Sequence, residues 1–78
     1  MTYEHASVEI DGAKLRRLRK EAGLNIVQLA DRVGVSFSYL AAIERGARPT
    51  VAPARYITIC EALGIEDRTT LHKTAVAA

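Results

Sequence analysis

The basic residues of the chain are concentrated in its middle, in a pattern that suits the binding of phosphate groups. Between residues 14 and 55, nine lysines and arginines stand against three acidic residues, a formal charge of +6. Residues 1–13 carry −3 and residues 56–78 carry −1, so the whole chain has a net charge of only +2. The basic residues are Lys14, Arg16, Arg17, Arg19, Lys20, Arg32, Arg45, Arg48 and Arg55. This distribution indicates an acidic partner, and nucleic acid is a better candidate than a membrane.

Side chains that could support catalysis or hold a metal are few and isolated. His5, His72 and Cys60 are separated in the sequence, and no spacing resembles a metal site, a nucleophile with its base or a phosphate-binding loop. Cys60 lies among the predicted core positions of a helix, which indicates a small buried residue rather than a reactive thiol. We therefore expect a protein that is not an enzyme and that needs no metal and no cofactor.

The length of 78 residues predicts one domain with a small core. The hydrophobic content of 49% argues against a disordered tail, and a single cysteine excludes a fold held together by disulfides. Folding of so short a chain should bury about 60% of its surface. Because hydrophobic gain and entropic loss nearly cancel at this size, dimerisation would help stability.

Glycines divide the chain into segments with helical periodicity, which predict a five-helix, all-α fold. Asp11, Asn25 and Ser36 are suitable N-caps for the first three helices, and Pro53 suits the first turn of the fourth. Residues 47–52 should form a loop. The predicted helices cover residues 12–22, 26–33, 36–45, 53–63 and 66–73.

The apolar residues recur at helical spacing and predict which side chains form the core. The predicted core positions are Leu15, Leu18, Ala22, Ile26, Leu29, Ala30, Val33, Tyr39, Leu40, Ile43, Tyr56, Ile57, Ile59, Cys60, Leu63, Ile65 and Leu71.

The ends of the chain carry weaker signals than its middle. Residues 1–10 are expected to form an N-terminal arm, either frayed coil or a short extended segment, because Val8 and Ile10 alternate with polar residues. The domain itself should cover residues 11–73, and residues 74–78 should be a loose C-terminal tail. No apolar run is long enough to span a membrane, and the first ten residues lack the pattern of a secretion signal. A cytoplasmic location is expected.

The second and third predicted helices, joined by the turn Gly34-Val35-Ser36, have the layout of a helix-turn-helix. With its short motifs the chain resembles the XRE family of phage-repressor-like (Cro/C1-type) helix-turn-helix proteins over residues 11–71. The motifs that carry the resemblance are Gln28-Leu29-Ala30, Gly34-Val35-Ser36, Ser38-Tyr39-Leu40, Ile43-Glu44-Arg45-Gly46 and Ala62-Leu63-Gly64-Ile65. The resemblance implies a compact lambda-repressor-like domain.

The resemblance further implies a small transcriptional regulator, a repressor, that binds double-stranded DNA as a homodimer on a two-fold-related operator. The helix at residues 36–45 would lie in the major groove, and the second helix would cross the backbone. An ion pair between Arg19 and Glu44 would tie the first helix to the third. The implied DNA-binding residues are Asn25, Gln28, Phe37, Ser38, Tyr39, Ala41, Ala42, Arg45 and Arg48.

The positions that would read bases are unusually apolar. Among Phe37, Ser38, Ala41 and Ala42, only the serine can form a hydrogen bond, whereas guanine is usually read by Arg or Lys and adenine by Asn or Gln. In one interpretation the apolar side chains contact thymine methyl groups and DNA shape adds selectivity. In the other, they bind a protein, and the domain is an interaction module or co-regulator with weak or no specific DNA binding. The charge distribution favours DNA.

Almost no chain lies outside the predicted helix-turn-helix domain, so no sensor or ligand-binding domain is expected within this sequence. Regulation would then come from abundance, from a regulatory protein partner or from occlusion at a promoter.

Overall fold

A computed structural model describes residues 7–73, which form four helices and a two-stranded sheet. The predicted all-α, lambda-repressor-like domain is confirmed, although the helix count is four rather than five. In chain order the elements are β1 (Val8–Glu9), α1 (Gly12–Glu21), α2 (Ile26–Val33), α3 (Phe37–Glu44), β2 (Thr50–Val51) and α4 (Pro53–Ala62).

The first three helices begin where side-chain oxygens satisfy their free N–H groups. Asp11, Asn25 and Ser36 each accept a hydrogen bond from the backbone N–H three residues further on, at 3.0, 2.8 and 3.1 Å. The fourth helix begins at Pro53 without a side-chain cap. All four predicted starts are therefore confirmed to within one residue.

The turn between α2 and α3 depends on a left-handed residue. Gly34 has φ of 87°, and its N–H and that of Val35 both donate to the carbonyl of Ala30. Residues with a β-carbon rarely adopt this conformation. The chain reverses within three residues, and the axes of α2 and α3 are bent by 110°, as expected for a helix-turn-helix.

A close approach of backbones fixes α1 against α3. A β-carbon built on Gly12 would lie 1.9 Å from the carbonyl oxygen of Ile43. Only glycine fits at this crossing without a shift of one helix. The contact places the next turns of α1 beside the end of α3, where the charged residues of both helices meet.

The prediction of a loop at residues 47–52 is wrong in part. Thr50–Val51 forms β2, which pairs antiparallel with β1 in the register Val8↔Val51 and Glu9↔Thr50. Of the two alternatives for the arm, residues 8–9 are extended; residues 1–6 lie outside the described residues. Strands of two residues are too short to show alternation in a sequence, and their pairing partner is distant.

The predicted fifth helix at residues 66–73 is also wrong, because this segment forms turns. The Asp67 carboxylate accepts hydrogen bonds from the N–H and hydroxyl of Thr69, a local turn that competes with helix formation. The segment then joins the start of the chain: the carbonyl of Leu71 accepts the N–H of Asp11 at 2.8 Å. An isolated bridge between Ile10 and His72 extends the pairing. The tail at residues 74–78 lies outside the described residues.

Most of the predicted core is confirmed. Two predictions are wrong: Ala22 is exposed, and Ile57 is 43% exposed because it lies on the outer face of α4. Ile10 and Val51 are buried although neither was predicted. The buried apolar residues are Ile10, Leu15, Leu29, Ala30, Val33, Leu40, Ile43, Val51, Tyr56, Ile59, Cys60 and Leu71. The partly buried ones packed against them are Val8, Leu18, Leu24, Ile26, Val35, Tyr39, Ala62, Leu63 and Ile65.

Within residues 7–73 no single helix has the length and apolar character needed to cross a membrane; α2 and α3 meet that test of length and composition only as a bent pair.

Candidate nucleic-acid interface

The helix α3 has one face in the core and one face toward solvent. Leu40 and Ile43 are fully buried, so the helix is anchored by its inner side. On the outer side Phe37 is 57% exposed and Ser38 is exposed. Ala41 and Ala42 are partly exposed. The residues predicted to read bases therefore lie on the accessible part of α3, and the surface they form is largely apolar.

At the start of α2, the amide side chains of Asn25 and Gln28 each accept a hydrogen bond from the backbone of the other residue. Asn25 Oδ1 accepts the backbone N–H of Gln28, and Gln28 Oε1 accepts the backbone N–H of Asn25, both at 2.8 Å. Both oxygens are used in this reciprocal cap. The NH₂ groups of both exposed side chains remain as donors, which suits phosphate oxygens at a helix N-terminus.

Arg19 and Glu44 are brought together between α1 and α3. Arg19 Nε and Nη2 donate to the two carboxylate oxygens of Glu44 at 2.7 and 3.0 Å, and Nη1 donates to the carbonyl of Leu24 at 2.9 Å. Both residues are buried, at 8% exposure each. Hydrogen bonding to the Glu44 carboxylate is the main cause of the raised pKa of Arg19, and desolvation opposes it. Glu44 is thus occupied in joining helices and is not available to bases.

A groove of about 610 Å³ opens between α1 and α3 above this ion pair. Arg16 lies on its α1 side and Arg45 on its α3 side, while Ile26 and Ala41 provide apolar lining. Arg45 is exposed at the C-terminal end of α3.

Tyr39 is the centre of a cluster that the sequence did not predict. The guanidinium carbon of Arg48 lies 4.7 Å from the centroid of the Tyr39 ring, and that of Arg55 lies 5.6 Å from it. Tyr39 and Arg48 were predicted to bind DNA; Arg55 was not. Its only signal in the sequence is its membership of the basic stretch, because its approach to Tyr39 depends on where the tertiary structure places the first turn of α4.

Three exposed or partly exposed arginines after the start of α3 pair with no acidic side chain of the described residues. The ion pairs within residues 7–73 are Arg17–Glu21, Arg19–Glu44 and Arg68–Glu61. Arg45, Arg48 and Arg55 take part in none of these. Their positive charge is therefore available to an external anion.

Among residues 7–73, no three His, Cys, Asp or Glu side chains are grouped so that they could hold a metal ion. Cys60 is buried in α4, and burial raises the pKa of its thiol. A thiol in such surroundings is a poor nucleophile at neutral pH.

The bend between α2 and α3, the caps that start them and the exposed face of α3 define a helix-turn-helix domain. The model of a family described as a helix-turn-helix domain matches residues 12–72. The match covers most of the chain, so the chain belongs to this family. The solved structures similar to this chain include transcriptional regulators of the XRE type, and the resemblance inferred from the sequence motifs is confirmed.

A curated relative is the HTH-type transcriptional regulator PrpR of Mycobacterium tuberculosis (strain ATCC 25618 / H37Rv). It is 48% identical over 42 residues, which are 54% of this chain and 9% of PrpR. The chain therefore spans less than a tenth of the length of this relative.

Two regulators are similar over nearly their whole solved chains. The restriction-modification controller protein C.AhdI from Aeromonas hydrophila is 37% identical with a TM-score of 0.70, covering 77% of this chain and 89% of that one. The biofilm master regulator SinR, in complex with DNA, is 29% identical with a TM-score of 0.70, covering 76% and 94%. SinR is also similar in a structure of its complex with SinI protein.

The same fold occurs as a part of an enzyme. A hydroxyethylphosphonate dioxygenase is 27% identical over 86% of this chain, but the match covers only 14% of the enzyme chain, with a TM-score of 0.69. The regulators, by contrast, match over most of their solved length.

Proposed function

We propose that this chain binds double-stranded DNA in a sequence-selective way as a small cytoplasmic transcriptional repressor, with α3 in the major groove. The observation that carries this proposal is that Arg45 and Arg48, which follow the exposed face of α3, take part in none of the ion pairs within residues 7–73. Phosphate contacts supply most of the affinity of such domains and fix their orientation. The complex of the similar SinR with DNA supports the same partner.

In this arrangement, the two ends of the helix-turn-helix bind the DNA backbone on either side of the major groove. Asn25 and Gln28 direct their amide groups to a phosphate at the start of α2. Arg45 and Arg48 follow α3 and bind phosphates at its other end. The contacts bring Phe37, Ser38, Ala41 and Ala42 against the base edges.

Selectivity then rests on apolar contacts. Phe37, Ala41 and Ala42 meet thymine methyl groups, and Ser38 supplies the one side-chain hydrogen bond among these positions. DNA shape contributes the rest of the sequence selectivity, because the arginines bind the DNA backbone at fixed positions. We therefore expect AT-rich half-sites with modest discrimination at each base pair.

A homodimer follows from the size of α3. Its 8 residues give a helix about 12 Å long, which faces roughly four base pairs at 3.4 Å each. One such half-site recurs too often in a genome to be selective, so two copies are needed on two half-sites about one helical turn apart.

One observation favours a second candidate function, a protein-binding module. Phe37 is 57% exposed, and with Ala41 and Ala42 it forms an apolar surface. A partner protein that covers this surface would displace DNA, and the partner would then regulate this chain. The similarity of this chain to SinR in a structure of the SinR–SinI protein complex supports this second candidate.

The proposal is tested by selecting bound sequences from random duplex DNA at about 0.15 M salt. Enrichment of a two-fold-symmetric, AT-rich sequence supports it. Binding without any enrichment contradicts sequence selectivity. Absence of salt-dependent binding contradicts DNA binding altogether and leaves the protein-binding module. Arg68→Gln is the control, because it removes one charge from the exposed segment after α4 and should leave the selected sequence unchanged.

A further inference from the structure

Two guanidinium groups from different elements converge on one aromatic ring. Arg48 comes from the loop after α3, and Arg55 comes from the first turn of α4. Their guanidinium carbons lie 4.7 and 5.6 Å from the centroid of the Tyr39 ring. Both distances are within the range of cation–π contacts.

Two guanidinium groups at one ring repel each other, and an anion that contacts both offsets this repulsion. Within residues 7–73, neither Arg48 nor Arg55 takes part in an ion pair. The quadrupole of the Tyr39 ring offers each guanidinium an attractive face but leaves the net charge of +2 in place. The arrangement is therefore that of a site prepared for an anion.

The backbone on which the three residues stand is held by hydrogen bonds and by secondary structure. The N–H of Arg48 donates to the carbonyl of Ala42 at 3.0 Å, which fixes the loop to α3. The N–H of Tyr39 donates to Ser36 Oγ at 3.1 Å, and Arg55 is part of a regular helix. Little backbone ordering remains to be done when a ligand arrives, which favours binding.

The two arginines also lie close enough to act on the same stretch of DNA. Their distances from one ring place their guanidinium carbons no more than about 10 Å apart. A DNA strand carries one phosphate for each 3.4 Å of helix axis, so both groups reach the same short run of backbone. A planar guanidinium binds phosphate in a bidentate way.

We infer that Arg55 is a phosphate-binding residue and that the Tyr39 ring is the platform that positions Arg48 and Arg55 on neighbouring DNA phosphates. This inference rests on the proposed function, because it names further residues of the same DNA site. In this role Tyr39 acts through its ring and not through its hydroxyl. The Tyr39 ring is a positioning group, and the two arginines bind the ligand.

The experiment measures the affinity for a 20-base-pair duplex of mixed sequence as a function of salt, by fluorescence anisotropy. Arg55→Gln should lower affinity about tenfold and reduce the slope of log K against log salt by about 0.9, the loss of one phosphate contact. Arg68→Gln, which removes the same charge from the segment after α4, should change both quantities much less.

Two substitutions of Tyr39 separate the ring from the hydroxyl. Tyr39→Phe keeps an aromatic face and should bind within about twofold of the parent, whereas Tyr39→Leu should bind several-fold more weakly. In the Arg55→Gln background, the Tyr39→Leu change should cost less than it does alone, because one of the positioned groups is already gone. Thermal unfolding of each variant shows that the domain is folded at the binding temperature.

The outcomes distinguish this inference from the function on which it rests. If the parent binds the duplex and Arg55→Gln leaves affinity and salt slope unchanged, the inference is wrong and the proposed function stands. If Tyr39→Phe binds as weakly as Tyr39→Leu, the hydroxyl is the active group and the platform is wrong. If the parent binds no duplex at any salt concentration, both fail together.

Discussion

Arg19 and Glu44 join the last turn of α1 to the last residue of α3 through two parallel hydrogen bonds of 2.7 and 3.0 Å. Both side chains are buried, so removal of the carboxylate leaves a guanidinium with no charged partner. We expect Glu44→Ala to lower the free energy of unfolding by about 3 kcal/mol. Urea unfolding without DNA measures this directly.

Glu21→Ala is the matched control for that experiment. Glu21 pairs with Arg17 on the exposed surface of α1, with 3.9 Å between the charged atoms. An exposed pair of this kind contributes at most about 1 kcal/mol. Unfolding curves that coincide for Glu44→Ala and Glu21→Ala would contradict a structural role for the buried pair.

The hydroxyl of Tyr56 fastens the segment after α4 to the core. It donates to the carbonyl of Arg68 and accepts the N–H of Leu71 at 3.2 Å. Tyr56→Phe removes both hydrogen bonds from a buried position, and we expect a loss of about 1–2 kcal/mol in unfolding free energy. Tyr39→Phe is the control, because in the described chain Tyr39 makes its contacts through its backbone N–H and its ring. Equal stability of the two variants would refute this role of Tyr56.

Alkaline pH should destabilise the fold through two buried groups. Burial raises the pKa of the Tyr56 hydroxyl above 10.0 and that of the Cys60 thiol above 9.0, their ordinary values. Because the folded state keeps both protons longer than the unfolded chain does, their contribution is complete below pH 9.0 and is lost as pH rises through the folded pKa values. Urea unfolding from neutral pH to about pH 11 measures the decline. The double variant Tyr56→Phe, Cys60→Ala should show a flatter profile, and an identical profile would contradict this origin.

The elements that follow from the sequence are those with local causes. Asn25 caps α2 by bonds to residues three positions away, and Gly34 ends it through its own backbone freedom. The sheet has no such local cause, because Val8 pairs with Val51, which is distant in the sequence. The segment at residues 66–73 combines a local turn at Asp67 with a distant pairing of Leu71 with Asp11, and periodicity does not reveal the second interaction.

In the candidate site, too, short-range features could be predicted from the sequence and long-range ones could not. Asn25 and Gln28 are three residues apart on one helix, and their mutual cap is a short-range pattern. Arg19 and Glu44 are 25 positions apart, and only the resemblance to a family placed them together. The approach of Arg55 to Tyr39 depends on where the tertiary structure places the first turn of α4, for which neither periodicity nor the family motif gives a signal.

Arg45 and Arg48 should contribute affinity without sequence preference. Because both bind phosphate in the proposed complex, we expect the double variant Arg45→Ala, Arg48→Ala to weaken binding to every duplex and to reduce the salt slope by about 1.8. Each single variant should account for about half of that slope. Salt titrations against two unrelated duplexes measure the effect, with Arg68→Ala as the control for lost charge. Unchanged affinity in the double variant would contradict the assignment of Arg45 and Arg48 to phosphate binding.

Phe37 should contribute sequence preference without changing the salt dependence. Its side chain is 57% exposed at the start of α3 and carries no charge. In the proposed complex it meets a thymine methyl group, a contact worth about 1 kcal/mol or more of discrimination at one base pair. Phe37→Ala should therefore relax the selected sequence at that position in each half-site, while Phe37→Leu retains an apolar contact and changes it less. Selection from random duplexes and a salt titration are carried out on both variants. If Phe37→Ala selects the parent's sequence with the parent's affinity, Phe37 does not face the bases. Its exposed ring would then favour the protein-binding module.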